Sequence, residues 1–70
     1  MNSFNADLGA RVRKTRESRG LTREKLAEAA DIDTKFLYEI ETGKKGMSAK
    51  TLTSIALALN VSLDAIALGK

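Results

Sequence analysis

The stretch TREKLAEAADIDTKFLYEIETG, residues 22–43, decides the fold of this 70-residue chain. Its apolar residues recur at helical spacing in two blocks and predict two short helices, 23–30 and 34–42. Thr22 and Asp33 precede the two blocks, and each is an N-cap candidate because its side-chain oxygen can accept a backbone N–H of the first turn. The gap between the helices is only about three residues long, which predicts a tight turn between two packed helices.

Four apolar residues indicate how this pair of helices packs. Ala27 lies where the two helices would cross, and a larger side chain there would push them apart. Ile32 is placed to close the turn, while Leu37 and Ile40 are placed to hold the second helix against the rest of the chain. This is the pattern of a helix-turn-helix, which presents its second helix for the major groove of DNA.

Three further helices are predicted on either side of the pair. The first runs from about Asp7 to Arg19, with Asp7 as its N-cap and Gly20 as its stop. The fourth begins at the N-cap Ser48 and has a clean amphipathic pattern, and a short fifth helix begins at Ser62. The fold class expected is therefore all-α, with five short helices joined by tight turns.

Length and composition narrow the functional classes. The length fits one domain, 1–70, of which residues 1–6 are expected to be flexible. The chain has no Cys and no His, so we expect no disulfide, no metal, no cofactor and no enzymatic activity. A chain this short rarely encloses a pocket, and no small-molecule ligand is evident. It has neither an apolar signal core nor a run of about 20 apolar residues, so we expect a cytoplasmic protein with no membrane partner.

The charge is unevenly distributed along the chain. The net charge is +3, and residues 11–25 hold seven basic residues against two acidic ones, a net +5. A second basic cluster follows at Lys44, Lys45 and Lys50. Residues 31–41 have instead a net charge of −3, with four acids against one lysine. A mildly basic chain is weak evidence for a polyanionic partner, and phosphates would repel the acidic second helix of the pair.

Several motifs, taken in order, resemble the phage repressor/Cro-like, or XRE-type, helix-turn-helix regulators. They cover nearly the whole chain: LGARVR at 8–13, RESRGLT at 16–22, LA at 26–27, FLYEIETGK at 36–44, and the segment 52–64. The resemblance implies a lambda-repressor-like fold and sequence-specific binding of double-stranded DNA by a transcriptional regulator, a repressor or an autoregulator. It also implies a bacterial or phage protein associated with the nucleoid.

The same resemblance implies roles for individual residues. The positions that face DNA bases on the recognition helix, about 34–42, are those of Thr34, Lys35, Tyr38 and Glu39. The positions that contact phosphates are those of Arg23, Lys44 and Lys45. Arg16 and Glu41 match a partly buried ion pair, which is structural and does not contact DNA.

Three residues depart from the family pattern. Asp31 stands in the turn where glycine is usual, and Asp tolerates the left-handed conformation better than most residues. Arg23 replaces the usual Gln at the start of the second helix and exchanges a neutral phosphate contact for a charged one. Met47 replaces the usual Pro before the fourth helix, so the preceding loop is expected to be looser.

Two questions stay open at the level of sequence. The acidic second helix and its aromatic residues Phe36 and Tyr38 also suit an alternative function, a protein-interaction module such as an antitoxin-like partner or an adaptor. At the C-terminal end, Leu57, Ile66 and Leu68 cannot all point into so small a core. We expect a homodimer through the C-terminal helices, the other explanation being that the natural chain continues past Lys70.

Overall fold

A computed structural model describes residues 3–70, which form five helices and no strand within that range. They are α1 (Ser3–Ser18), α2 (Arg23–Ala30), α3 (Thr34–Glu41), α4 (Ala49–Leu59) and α5 (Leu63–Ala67). The predicted all-α class with five short helices is confirmed. The helix-turn-helix predicted from residues 22–43 is the pair α2–α3, with Thr42 as the C-cap of α3.

The first helix begins earlier than the sequence predicts. Helix α1 includes Ser3, so Asp7 lies inside it and the prediction of Asp7 as its N-cap was wrong. The early turns are supported by tertiary packing, because Ala6 lies directly against Gly43 in the loop after α3. Residues 1 and 2 lie outside the described range, while residues 3–6 are helical; the flexibility of residues 1–6 stays a prediction.

The other helix ends follow the predicted capping residues. Thr22, Asp33, Ser48 and Ser62 each accept a backbone N–H of the helix that follows. Helix α2 ends at Ala30, and its C-cap Asp31 adopts the left-handed conformation with φ 57°. The turn therefore keeps the geometry that glycine would give it, with an aspartate in the strained position.

One apolar core joins all five helices. Its largest fully buried members come from every helix: Val12 from α1, Leu26 from α2, Leu37 and Ile40 from α3, Ile55 and Leu59 from α4, and Ile66 from α5. Phe36 is half-buried against this core. Of the three C-terminal apolar residues in question, Ile66 is buried, whereas Leu57 and Leu68 are exposed.

Gly9 sets the distance between α1 and α3. A Cβ added at Gly9 would overlap the backbone carbonyl of Ile40 and lie 3.0 Å from the carbonyl carbon of Glu41. The two helix backbones therefore touch at this point, and only a residue without a side chain fits. This contact places the back of α3 firmly against α1 and leaves its opposite face outward.

Candidate nucleic-acid interface

The outward face of α3 carries the four residues predicted to contact bases. Lys35 is exposed, Tyr38 is 42% exposed, and Thr34 and Glu39 are half-buried. The opposite face is locked, because Leu37, Ile40 and Glu41 are all buried. The fold thus brings the predicted set together on one helix whose orientation is fixed from behind.

Arg16 and Glu41 form a bidentate ion pair between α1 and α3. Arg16 Nε lies 2.7 Å from Glu41 Oε2, and Nη2 lies 3.1 Å from Oε1. The third guanidinium nitrogen, Nη1, donates to the Leu21 carbonyl at 2.8 Å. The Glu41 side chain is fully buried, so every polar atom of the pair depends on protein partners. The structure places these two residues in the structural role that the resemblance implies.

The pair also affects the ionisation of Arg16. The hydrogen bond to Glu41 raises the pKa of Arg16 above its ordinary value, while burial acts in the opposite direction. A raised pKa adds stability below the unfolded-state pKa, and that stability is lost only as the pH rises through the folded-state pKa. Both pKa values of an arginine are strongly alkaline, so the contribution from the raised pKa of Arg16 does not change with pH near neutrality.

Arg23 has a second role that the sequence did not indicate. Its Nε donates to Glu41 Oε1 at 2.9 Å, so one buried carboxylate serves two arginines. The Arg23 side chain keeps 31% of its surface exposed. Its guanidinium carbon also lies 5.2 Å from the centroid of the Tyr38 ring. The predicted phosphate contact therefore comes from a side chain that is already oriented by α3.

Tyr38 lies close to two cations. Arg23 lies 5.2 Å from its ring centroid, and Lys44 Nζ lies 5.6 Å from the same centroid. Both distances fall within the range of cation–π attraction. The exposed ring thus connects the start of α2, the middle of α3 and the loop after α3.

Three of the four acids of residues 31–41 interact with other groups of the protein. Asp33 caps α3, and Glu41 is held by two arginines. Glu39 Oε1 lies 3.5 Å from Lys45 Nζ. The negative charge of Glu39, a predicted base contact, is therefore offset by the positive charge of Lys45, a predicted phosphate contact. Two of the four acids that motivated the protein-interaction alternative, Glu39 and Glu41, are thus paired with cations of the protein itself.

Two arginines of the basic run 11–25, Arg11 in α1 and Arg19 just after it, bond to the ends of other helices. Arg11 donates to the carbonyls of Ile66 at 2.6 Å and Ala67 at 2.9 Å, and so covers the C-terminal end of α5. Arg19 donates to the carbonyl of Leu59 at 3.1 Å, at the end of α4. Sequence reasoning missed these roles, because the carbonyls of a helix end carry no residue-type signal.

Among residues 3–70, no group of three acidic, His or Cys side chains could hold a metal ion. None of the five described helices is long and apolar enough to cross a membrane. An open cavity of about 280 Å³ lies between the α2–α3 turn and α4, lined by Asp31, Lys50 and Thr51 among others. This cavity is open to solvent, and none of the residues predicted to contact DNA lines it.

The fold and this outward helix define a helix-turn-helix protein. A family model described as a helix-turn-helix domain matches residues 9–70, and the chain belongs to that family. Two proteins similar to this chain are HTH-type transcriptional regulators. One is the uncharacterized YazB of Bacillus subtilis strain 168, with 39% identity over 84% of this chain and 86% of that protein. The other is y4mF of Sinorhizobium fredii, with 31% identity over 93% of this chain and 86% of that protein.

A phage protein and two solved structures extend the comparison. The immunity repressor protein of Bacillus phage phi105 is 36% identical over 84% of this chain, which spans only 41% of the repressor's length. The controller protein C.AhdI of Aeromonas hydrophila superposes with a TM-score of 0.91 at 25% identity, covering 93% of this chain and 98% of the other. The clp gene regulator ClgR of Corynebacterium glutamicum gives 0.88 at 34% identity, covering 93% and 84%. The predicted resemblance is confirmed.

Proposed function

We propose that this protein regulates transcription by binding a specific sequence of double-stranded DNA, with α3 in the major groove. DNA-binding transcription regulation is the function of the helix-turn-helix family to which the chain belongs. Repression or autoregulation is the mode we favour, since an immunity repressor is among the similar proteins. A regulator of this kind acts at the nucleoid, in the cytoplasm of a bacterium.

The observation that carries this proposal is the fixed outward face of α3. Recognition requires side chains that reach base edges from a helix whose position does not change. Gly9 and the Arg16–Glu41 pair hold α3 from behind, while Lys35 and Tyr38 remain exposed. We assign base contacts to Thr34, Lys35, Tyr38 and Glu39, of which Lys35 has the donor chemistry that suits guanine.

Phosphate contacts would set the register of α3 in the groove. Arg23 lies at the first turn of α2, where unbonded backbone N–H groups also favour an anion. Lys44 and Lys45 are exposed in the loop after α3. Because Lys45 lies near Glu39, contact of Lys45 with a phosphate would leave Glu39 able to accept a hydrogen bond from a cytosine amine.

A homodimer through the C-terminal helices completes the proposal. Leu57, Leu63 and Leu68 are 75%, 44% and 61% exposed, an unusual amount of leucine surface for so small a chain. A twofold dimer would place two copies of α3 about 34 Å apart, one helical turn of DNA. The half-site spacing of the bound sequence would therefore report the geometry of the dimer.

Selection from a pool of random duplexes at about 0.15 M salt tests the proposal. Enrichment of a repeated or palindromic sequence is expected. If no sequence is enriched and binding is weak and strongly salt-dependent, α3 does not contact bases specifically. A protein partner that protects residues 34–39 from hydrogen exchange, without DNA binding, would then favour the interaction module.

The variant Lys35→Ala tests the base-contacting role directly. It is expected to cost about 1–3 kcal/mol of binding free energy and to relax the preference at one base pair. Lys14→Ala is the matched control, because Lys14 is an exposed lysine on α1, outside the proposed interface. If Lys35→Ala leaves both affinity and preferred sequence unchanged, Lys35 does not contact bases.

A further inference from the structure

We infer that Arg23, Tyr38 and Lys44 form one phosphate clamp, in which the tyrosine ring holds two cations around a single backbone phosphodiester. This inference rests on the proposed function and deepens it. It reassigns Tyr38 from base contact to phosphate contact. The three residues of the clamp come from α2, α3 and the loop after α3.

The geometry of the three side chains supports a shared ligand. Both cations lie within 6 Å of one ring centroid, at 5.2 Å for Arg23 and 5.6 Å for Lys44. Arg23 is held in place by Glu41, which is itself fully buried. Tyr38 is 42% exposed, the Arg23 side chain is 31% exposed and Lys44 is exposed, so a ligand can approach all three from solvent.

The charges of the cluster favour an anion. The Glu41 carboxylate is already shared with Arg16, so it compensates only part of the charge of Arg23. Within residues 3–70, no carboxylate lies within ion-pair distance of Lys44 Nζ, whereas the neighbouring Lys45 is near Glu39. Two cations thus lie near one ring with an incomplete complement of negative charge, and an added anion would be attracted to both.

A phosphate fits this cluster better than a base edge does. Phosphate oxygens can accept hydrogen bonds from a guanidinium, an ammonium group and the tyrosine hydroxyl at the same time. A guanine edge also presents only acceptors, but it is neutral and occurs only at certain base pairs, whereas a phosphate is negatively charged and is present at every nucleotide. Arg23 also begins α2, and its carboxylate partner fixes its orientation before binding.

The test is a double-mutant cycle with Tyr38→Leu and Lys44→Gln, measured on a duplex of fixed, unselected sequence over a series of salt concentrations. Each single variant is expected to weaken binding on the order of tenfold and to reduce the salt slope by about 0.9, the value for one phosphate. The double variant is expected to lose no more than the weaker-binding single variant, because one phosphate is lost only once. Tyr38→Phe keeps the ring and should retain most of the affinity, and Lys14→Gln is the charge-matched control.

Three results would overturn the clamp. The first is an additive loss in the double variant, with the salt slope reduced by about 1.8, because the two residues would then contact separate phosphates. The second is a Tyr38→Leu variant with an unchanged salt slope and a changed preferred sequence, which would make Tyr38 a base contact. The third is an unchanged affinity in both single variants. Circular dichroism checks that each variant is folded, and Tyr38→Gln replaces Tyr38→Leu if the latter is not.

The source of the phosphate and the proposed function are tested separately. NMR shifts of the Tyr38 ring are followed with the duplex and with inorganic phosphate. Shifts with the duplex alone assign the clamp to backbone phosphodiesters, shifts with both assign it to phosphates in general, and shifts with neither overturn it. Because the duplex has an unselected sequence, the clamp can be confirmed even if selection finds no specific site, and it can fail while a specific site is found.

Discussion

The charged side chains near α1 and those on the outward face of α3 have opposite roles: the first bond within the protein, and the second remain exposed. Arginines are frequent in α1 and just after it, yet Arg11, Arg16 and Arg19 donate to helix-end carbonyls or to a buried carboxylate. The segment that contains α3 has a net negative charge in sequence, yet its exposed face presents Lys35 and borders Lys44. The density of charge along a sequence therefore does not map the charge that a fold presents to a partner.

The difference follows from the chemistry of the two cations. The planar guanidinium of arginine can satisfy several acceptors at once and tolerates burial. The ammonium group of lysine is strongly hydrated, and at Lys35 and Lys44 it remains in solvent. In this chain the arginines mostly hold helices together, and the lysines after residue 34 remain available to a partner.

Removing the carboxylate on which α1 and α3 depend should have the largest effect. Glu41→Gln leaves Arg16 buried without its charge partner and is expected to cost about 3–5 kcal/mol in the free energy of unfolding. Urea denaturation followed by circular dichroism measures the loss. The control is Glu17→Gln, since Glu17 pairs with Arg13 on the surface and should contribute less than about 0.5 kcal/mol. Equal effects of the two substitutions would contradict the buried role of Glu41.

The contact between α1 and α3 can be broken without changing any charge. Gly9→Ala places a methyl group against the Ile40 carbonyl and should cost about 3 kcal/mol, because backbone must move to make room. Gly20→Ala is the comparison, because Gly20 has φ +71° but open space around it, and only about 1 kcal/mol of backbone strain is expected. Thermal denaturation distinguishes them, and a Gly9→Ala variant as stable as wild type would show that the helices can separate at no cost.

The division of labour between arginine and lysine predicts a crossed pattern. Arg11→Gln removes two hydrogen bonds to α5 carbonyls and should cost about 1–2 kcal/mol of stability, while DNA affinity of the folded protein is unchanged. Lys44→Gln should leave stability unchanged and weaken DNA binding. Denaturation and salt titration of both variants test the pattern. Loss of DNA affinity in folded Arg11→Gln would place part of the interface on α1.

Substitution of the turn residue Asp31 should give the smallest effect, a small increase in stability. Asp31→Gly relieves left-handed strain and removes a negative charge at the C-terminal end of α2, so stability should rise by about 0.5–1 kcal/mol. Asp31→Asn removes the charge but keeps a side chain of similar size, so it separates the effect of the charge from the effect of the backbone strain. A fall in the melting temperature of Asp31→Gly would indicate that the aspartate makes a favourable interaction in the folded state.

Local chemistry determined much of this fold from the sequence alone. Thr22, Asp33 and Ser48 begin helices because their side-chain oxygens bond to the next backbone N–H groups, and this depends only on neighbours in the chain. Apolar spacing likewise predicted the buried positions Leu37 and Ile40. The same patterns, with the family resemblance, were sufficient for the helix-turn-helix class.

Tertiary structure alone decided which charges face a partner. Arg11 and Arg19 reach carbonyls at the ends of α5 and α4, residues that are distant in sequence. The closeness of Arg23 and Lys44 to Tyr38, the need for glycine at position 9 and the early start of α1 also depend on contacts between separate elements. Periodicity and capping describe one helix at a time, whereas the partner of a long side chain is determined only when the helices have packed.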